Sequence, residues 1–190
     1  MFIVNDLIAL LAANLILNQA LGTSTLFIAA NNRRNLTWTA VAITLFTTVG
    51  SFAAYFVAAF LPESVSDLTL LIYTLIISII YALILSAMFF FSRNLFDRIK
   101  KYVHISAFNC AVMGTLFTIT DRARADASFM HLGDFVLSGL EAGIGFVLTS
   151  LILTAAYRKL NSAKVPSSFR GFPAMLIYLG IISMAVYALK

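Results

Sequence analysis

Charged residues are scarce in this sequence. Only 11% of its 190 residues are Asp, Glu, Lys or Arg, whereas 61% are hydrophobic and the mean hydropathy is +0.95. A soluble domain carries about a quarter charged residues. So few charges cannot cover a surface in water, which excludes a soluble globular domain and predicts an all-α integral membrane protein. No polar stretch is long enough for a second domain, so residues 1–190 are predicted to form one transmembrane domain.

Cysteine is rarer still. The single Cys110 excludes an intrachain disulfide and any metal site built wholly from this chain's thiolates. The net charge of +5 does not indicate nucleic acid, because nearly all basic residues lie in short segments between apolar runs. The sequence also lacks a phosphate loop, a nucleophile triad and carboxylates paired at catalytic spacing. The sequence alone therefore offers no motif typical of a catalytic site.

Six apolar runs are long enough to cross a bilayer core of about 30 Å, which takes roughly 20 residues. They are Phe2–Ile28, Leu36–Leu61, Leu68–Phe91, Tyr102–Thr120, Phe135–Tyr157 and Phe172–Leu189. The first run has no Lys or Arg before it, unlike a secretory signal, and is expected to be a retained helix.

The basic residues predict the orientation of these six spans. Loops 31–35, 92–101 and 158–171 hold ten Lys and Arg, against three in loops 62–67 and 121–134 together with Lys190. The positive-inside rule counts such residues in short loops. It predicts that the three basic loops are cytoplasmic and that both termini lie outside the inner (plasma) membrane.

The first and fourth runs contain polar and small residues at mid-depth. Asn18 precedes Leu21-Gly22-Thr23, and Asn109 precedes Met113-Gly114-Thr115. The match suggests two halves, about 1–91 and 92–190, each of three helices and therefore inverted relative to one another. Inverted repeats often carry a site near the midplane made by interrupted helices. Alternatively, Asn18 and Asn109 only bond between helices, and the glycines only permit close packing.

Three segments carry a family resemblance. Asn109-Cys110-Ala111-Val112-Met113-Gly114 resembles the Asn-Cys-Ala-Val/Ile-Leu-Gly signature of the RnfA/NqrE family. Val165-Pro166-Ser167-Ser168-Phe169-Arg170-Gly171 is similar to that family's Val-Pro-x-x-Phe/Leu-Arg-Gly segment, and Leu21-Gly22 is similar to its Leu-Gly-x-Cys element. The resemblance extends from the first span to the last.

This resemblance implies a membrane subunit of an ion-translocating oxidoreductase of the Rnf or Na⁺-translocating NADH:quinone reductase type. Such a protein faces a homologous RnfE/NqrD-like partner of opposite orientation. Each partner gives two cysteines to a shared intramembrane [2Fe-2S] cluster, through which electrons cross the bilayer, coupled to Na⁺ or H⁺ transport. Cys110 is then expected to be a cluster ligand to iron.

The sequence departs from the family where the first cysteine should stand, because Ser24 occupies that position. Iron–sulfur sites strongly prefer sulfur to a serine oxygen. Three interpretations stay open: Ser24 is a ligand, the cluster is altered, or the protein keeps only a structural role. A component of a small-molecule transporter is a further alternative, since inverted repeats with broken helices suit it equally well.

An acidic residue, Glu141, lies inside the fifth run, where the family usually has a small neutral residue. Ionisable residues in a span are rare and mark ion pathways or partner contacts by default. Glu141 is therefore a candidate for Na⁺ or proton binding together with Asn18 and Asn109. Pairing with a base on a partner protein and simple hydration near the outer surface are its other interpretations.

Overall fold

The computed structural model describes residues 14–30, 33–60, 68–91 and 93–188, and within them every regular element is helical. The helices are α1 (Leu15–Gln19), α2 (Thr23–Ala30), α3 (Arg33–Phe60), α4 (Thr69–Phe91), α5 (Arg93–Ala107), α6 (Cys110–Ala125), α7 (Leu132–Leu160) and α8 (Phe172–Tyr187). A 3-10 turn, Ala127–Phe129, joins α6 to α7. The all-α prediction is confirmed.

Three helices in the described part are long and apolar enough to cross a membrane: α3, α4 and α7. They match the predicted second, third and fifth spans to within a few residues at each described end. At 28, 23 and 29 residues, each is about 35–43 Å long at 1.5 Å per residue, which exceeds a core of about 30 Å.

The predicted fourth span is a broken helix. Helices α5 and α6 are separated at Phe108 and Asn109, and the pair bends by 47°. The predicted interruption of this span is therefore confirmed. Taken together, the two pieces pass the same test of length and composition, and their 47° bend fits either a broken span or a re-entrant loop.

The predicted loop 92–101 is wrong in its boundaries, because the helix α5 already begins at Arg93. Ile99 and Val103, one turn apart on its inward side, are buried in the core. The other face carries charge, which includes the exposed Lys101. A search for apolar runs misses such an amphipathic helix, because half of its surface is polar.

Helices also extend into the other predicted loops. Residues 33–35 begin α3, residues 121–125 end α6 and residues 132–134 begin α7, so the predicted loops 31–35 and 121–134 are shorter than expected. Loop 158–171 begins after Leu160. Loop 62–67 lies outside the described residues.

The predicted first span is described only from Asn14 onward, and the part before it lies outside the described residues. The described part is broken into α1 and α2, so its predicted interruption is confirmed. The sixth run is α8, an apolar helix of 16 residues. At about 24 Å, it is shorter than a typical spanning helix.

The core forms where α3 packs along α7. A Cβ added at Gly139 would lie 2.7 Å from the backbone oxygen of Thr47, and one added at Gly143 would lie 2.8 Å from Thr44 Cα. These two glycines, one turn apart, therefore let the helix backbones approach as only small residues allow. This pair of helices is the support on which the shorter, broken helices are held.

Candidate functional site at two helix breaks

The first break lies between α1 and α2, at residues 20–22. Ala20 and Gly22 have φ angles of +55° and +78°, so the chain leaves the helical conformation at both ends of this short turn. Glycine adopts such an angle without strain, but alanine does so at a cost of about 1 kcal/mol. A strained alanine persists only where surrounding contacts hold it.

Asn14 attaches α1 to α7. Its side-chain oxygen accepts a hydrogen bond from the Ile16 amide at 2.9 Å, which caps the start of α1. Its side-chain nitrogen donates to the Gly145 carbonyl oxygen at 2.6 Å and to Thr149 Oγ1 at 2.7 Å. Asn14 is only 5% exposed. Its one buried amide therefore provides hydrogen-bond partners both for the start of α1 and for polar groups of α7.

Helix α8 satisfies the other end of α1. The Ser183 hydroxyl donates a hydrogen bond to the backbone oxygen of Leu17, which lies in the last turn of α1. In hydrocarbon, a carbonyl freed by a helix break needs a partner within the protein. Ser183 provides that partner from the opposite end of the chain.

The second break is capped by Asn109. Its side-chain oxygen accepts from the Ala111 amide at 3.0 Å, at the start of α6. Its side-chain nitrogen and the Ser106 hydroxyl are buried and have no hydrogen-bond partner among the residues that the structure describes. Unpartnered buried polar groups are uncommon in proteins.

The two breaks meet. A Cβ added at Gly22 would lie 2.8 Å from Ala111 Cβ and 2.9 Å from Asn109 Oδ1. Reciprocally, one added at Gly114 would overlap the side chain of Leu21. Each break therefore carries a glycine against which the other break packs.

The predicted ligand residues stand in equivalent places beside these breaks. Ser24 is the second residue of α2 and Cys110 is the first residue of α6, so each lies in the first turn after its break. Both are exposed on this chain. In the described residues, no three His, Cys, Asp or Glu side chains come together as a metal site. The chain thus presents one thiol and one hydroxyl outward, at the starts of two helices.

The predicted ion-path residues lie on three different elements: Glu141 on α7, Asn18 on α1 and Asn109 at the break before α6. Glu141 is exposed on α7, one turn before Gly145, whose carbonyl receives the Asn14 amide. Asn18 is one turn after Asn14 and bonds back to it through the backbone at 3.0 Å. Asn109 lies against Gly22, which follows Asn18 by four residues. The intermediate Asn14, and Ser183 on α8, were not singled out as site residues from the sequence.

One end of the bundle collects the basic segments. Tyr102 donates a hydrogen bond to Asn35 Oδ1 at 2.7 Å, which joins the start of α3 to α5. Asn35, Lys101, Tyr157 and Gly171 line one cavity there. These residues come from the segments predicted to be basic loops one, three and five or lie directly beside them, so the three segments share one end of the molecule.

Three helices long enough to cross a bilayer, packed with interrupted helices in one apolar bundle, are typical of a multi-pass membrane protein. The family described as "Rnf-Nqr subunit, membrane protein" matches residues 4–190. The chain belongs to this family, and the resemblance to its RnfA/NqrE members is confirmed by relatives of both names.

The relatives are components of named complexes. The A subunit of the ion-translocating oxidoreductase complex of Glaesserella parasuis serovar 5 is 30% identical over 147 residues, 76% of this chain and 73% of the relative. The A subunit of the Na⁺-translocating ferredoxin:NAD⁺ oxidoreductase complex of Acetobacterium woodii is 24% identical, with coverage of 93% and 90%. The E subunit of the Na⁺-translocating NADH-quinone reductase of Idiomarina loihiensis is 27% identical, with coverage of 67% and 60%.

Proposed function

We propose that this chain is a membrane subunit of an ion-translocating oxidoreductase complex and that electrons cross the bilayer at its two helix breaks. The observation that carries the proposal is the contact of Gly22 with Asn109 and Ala111, which brings together the segments that bear Ser24 and Cys110. Relatives named as components of such complexes support it from a separate direction.

The proposed architecture is six spans in two inverted halves. Each described half contains a broken helix followed by two further helices; Asn14 caps the first piece of one broken helix, and Asn109 caps the second piece of the other. The shared basic end supports one orientation for all three odd-numbered loops. By the positive-inside rule, that end is cytoplasmic and both termini lie outside the plasma membrane.

The residues at the second break fit one side of an iron–sulfur site. Cys110 is an exposed thiol beside Asn109, whose buried amide nitrogen has no partner in the described part of the chain. Helix α6 begins at Cys110, so its first amide groups favour a negative group there. A bound [2Fe-2S] cluster supplies one-electron transfer between carriers on the two sides of the membrane.

This chain supplies at most part of such a ligand set. Cys110 gives one thiolate, Ser24 gives a weaker oxygen ligand in the position of the family's first cysteine, and a homologous RnfE/NqrD-like partner gives the rest. Because both side chains are exposed on the isolated chain, they are available to a partner that covers this face.

Ion movement is proposed to involve Glu141, Asn18 and Asn109. Glu141 is the carboxylate that binds Na⁺ or a proton, Asn18 provides an amide near the first break and Asn109 provides one at the second. Asn14 links the first two through its bonds to Gly145 and through its backbone bond to Asn18.

A cofactor-free structural role in the same complex is the second candidate. The observation that favours it is Ser24, because this serine replaces one of the two cysteines that family members give to the cluster. In this case, the reciprocal glycine contacts serve only to hold the two halves together for the partner.

Iron analysis and electron paramagnetic resonance of the reduced, purified complex distinguish these candidates. The wild-type complex is compared with Cys110→Ala and with Thr118→Ala, a control on α6 whose hydroxyl bonds to its own helix at 2.8 Å. We expect Cys110→Ala to remove one cluster signal and its iron, and Thr118→Ala to leave both unchanged. Equal iron and signal in all three complexes would mean that Cys110 holds no cluster and would favour the structural candidate.

A further inference from the structure

A cavity of about 520 Å³ opens at the basic end of the bundle. Five helices and the turn before α8 surround it, and its lining residues are Ser24, Phe27, Ile28, Asn35, Lys101, Tyr157, Gly171, Phe172 and Met175. Its volume lies within the range of about 300–1,000 Å³ that is typical of small-ligand sites. Cys110 does not line it, so this cavity is a different place from the thiol described above.

The polar groups of the cavity are arranged to donate hydrogen bonds. Lys101 carries an ammonium group, which has donors and no acceptor. The Asn35 oxygen is already engaged by the Tyr102 hydroxyl at 2.7 Å, which leaves the amide NH₂ group for a ligand. The described lining includes no acidic residue. Such a set favours a ligand that is rich in acceptors and negatively charged, as a phosphate group is.

The remaining walls are apolar and continue to the outside of the chain. Phe27 and Phe172 pack edge to face with ring centroids 4.6 Å apart. Ile28 and Phe172 are 41% and 55% exposed, so the apolar wall reaches the surface that faces lipid or a partner. A ligand held here therefore has a charged end at Lys101 and an apolar end along these side chains.

We propose that this cavity binds an anionic phospholipid, with its phosphate at Lys101 and Asn35 and an acyl chain along Phe27, Ile28 and Phe172. Basic pockets between transmembrane helices suit anionic headgroups in this way. Helix α8, of 16 residues, begins directly after Gly171 on the cavity wall and adds a favourable field for an anion. The lipid cavity and the proposed cluster site share Ser24, but Lys101 and Asn35 belong to the cavity alone. Lipid binding therefore does not depend on the cluster.

The test uses the whole purified complex, delipidated in detergent and then returned to phosphatidylglycerol or to zwitterionic phosphatidylethanolamine, with retained lipid counted by native mass spectrometry. Lys101→Gln removes the cavity's charge. Lys100→Gln is the matched control, because the Lys100 ammonium bonds to Asp97 at 2.9 Å and does not line the cavity. Lys101→Arg keeps the charge and is the rescue variant.

We expect the wild-type complex to retain phosphatidylglycerol in preference to phosphatidylethanolamine. Lys101→Gln lowers that retention about fivefold, since a basic residue near an anionic lipid contributes about 1 kcal/mol. Lys100→Gln and Lys101→Arg retain wild-type amounts. Equal loss in Lys100→Gln and Lys101→Gln, or no preference between the lipids, would overturn the proposal.

A second arm separates a lipid from a free anion. Inorganic phosphate is added to the delipidated complex before phosphatidylglycerol. If inorganic phosphate binds to the wild type but not to Lys101→Gln, while phosphatidylglycerol is retained no better than phosphatidylethanolamine, the cavity is a site for soluble phosphate ligands and the lipid assignment is wrong. Iron content is measured in parallel. We expect Lys101→Gln to leave the iron content unchanged and Cys110→Ala to leave lipid retention unchanged. The lipid proposal and the cluster proposal are thus tested by different variants.

Discussion

Gly22 faces Ala111 so closely that a methyl group on the glycine would lie 2.8 Å from the alanine Cβ. This contact joins the two helix breaks, which are far apart in sequence. It also explains why the first break ends in a glycine, since both the positive φ angle of +78° and the lack of space exclude a side chain there.

Gly22→Ala tests that contact. We expect it to destabilise the folded chain by about 2–4 kcal/mol, because it adds a strained backbone angle to an overlap with Ala111. Gly180→Ala is the control, because no atom lies within 4 Å of a Cβ at that position. Thermal unfolding of the purified complex in detergent measures both, and equal melting temperatures would contradict the close approach of the breaks.

Asn14→Ala removes the cap of α1 and its link to α7. The variant loses three hydrogen bonds in a buried site, to Ile16, Gly145 and Thr149. We expect a loss of about 2–4 kcal/mol, since each of the three buried bonds, the capping bond to Ile16 included, contributes about 1 kcal/mol. Asn161→Ala, at the exposed C-terminal end of α7, is the comparison. The same melting experiment decides, and a shift for Asn161→Ala as large as that for Asn14→Ala would count against the link.

Ser24→Cys restores the thiol that the family motif has at this position. If a cluster is held at the breaks, we expect a larger and more stable resonance signal in the reduced complex, because sulfur is the preferred ligand for iron in such clusters. Thr23→Cys, one residue away, controls for the mere addition of a thiol. Signals that respond alike to both substitutions would argue against a ligand position at residue 24.

Glu141→Gln separates ion transport from electron transfer. The amide keeps the size and polarity of the side chain but carries no charge, so ion movement falls severalfold while electron transfer by the uncoupled complex continues. Proteoliposomes with a Na⁺-sensitive or pH-sensitive dye measure the ion movement. Ser138→Ala, one turn earlier on α7, serves as the control, and unchanged transport in Glu141→Gln would remove Glu141 from the path.

Much of this structure is predictable from local sequence. The runs that became α3, α4 and α7 contain little besides apolar residues, so length alone identifies them. Asn109 and Gly22 also indicate broken helices from local sequence alone. Asparagine is a favoured N-cap residue, and glycine adopts a positive φ angle without strain.

The rest depends on contacts between distant segments. Asn14 is one of several polar residues in the first run, and only its distance to Gly145 distinguishes it from Asn18. Ser183 is likewise an ordinary serine until the structure brings it to Leu17. Residues 93–101 of α5 were predicted as a loop, because hydropathy averages over a helix whose two faces differ. The position of Lys101 in a cavity was missed for the same reason.

The bonds that complete α1 have a consequence for how the protein is made. Asn14 needs Gly145 and Thr149 of α7, and Leu17 needs Ser183 of α8, yet these partners leave the ribosome long after α1 does. During synthesis the first interrupted segment therefore enters the bilayer without the groups that satisfy it. The hydrogen bonds of α1 can therefore form only after α7 and α8 have been synthesised, and the last helix completes them.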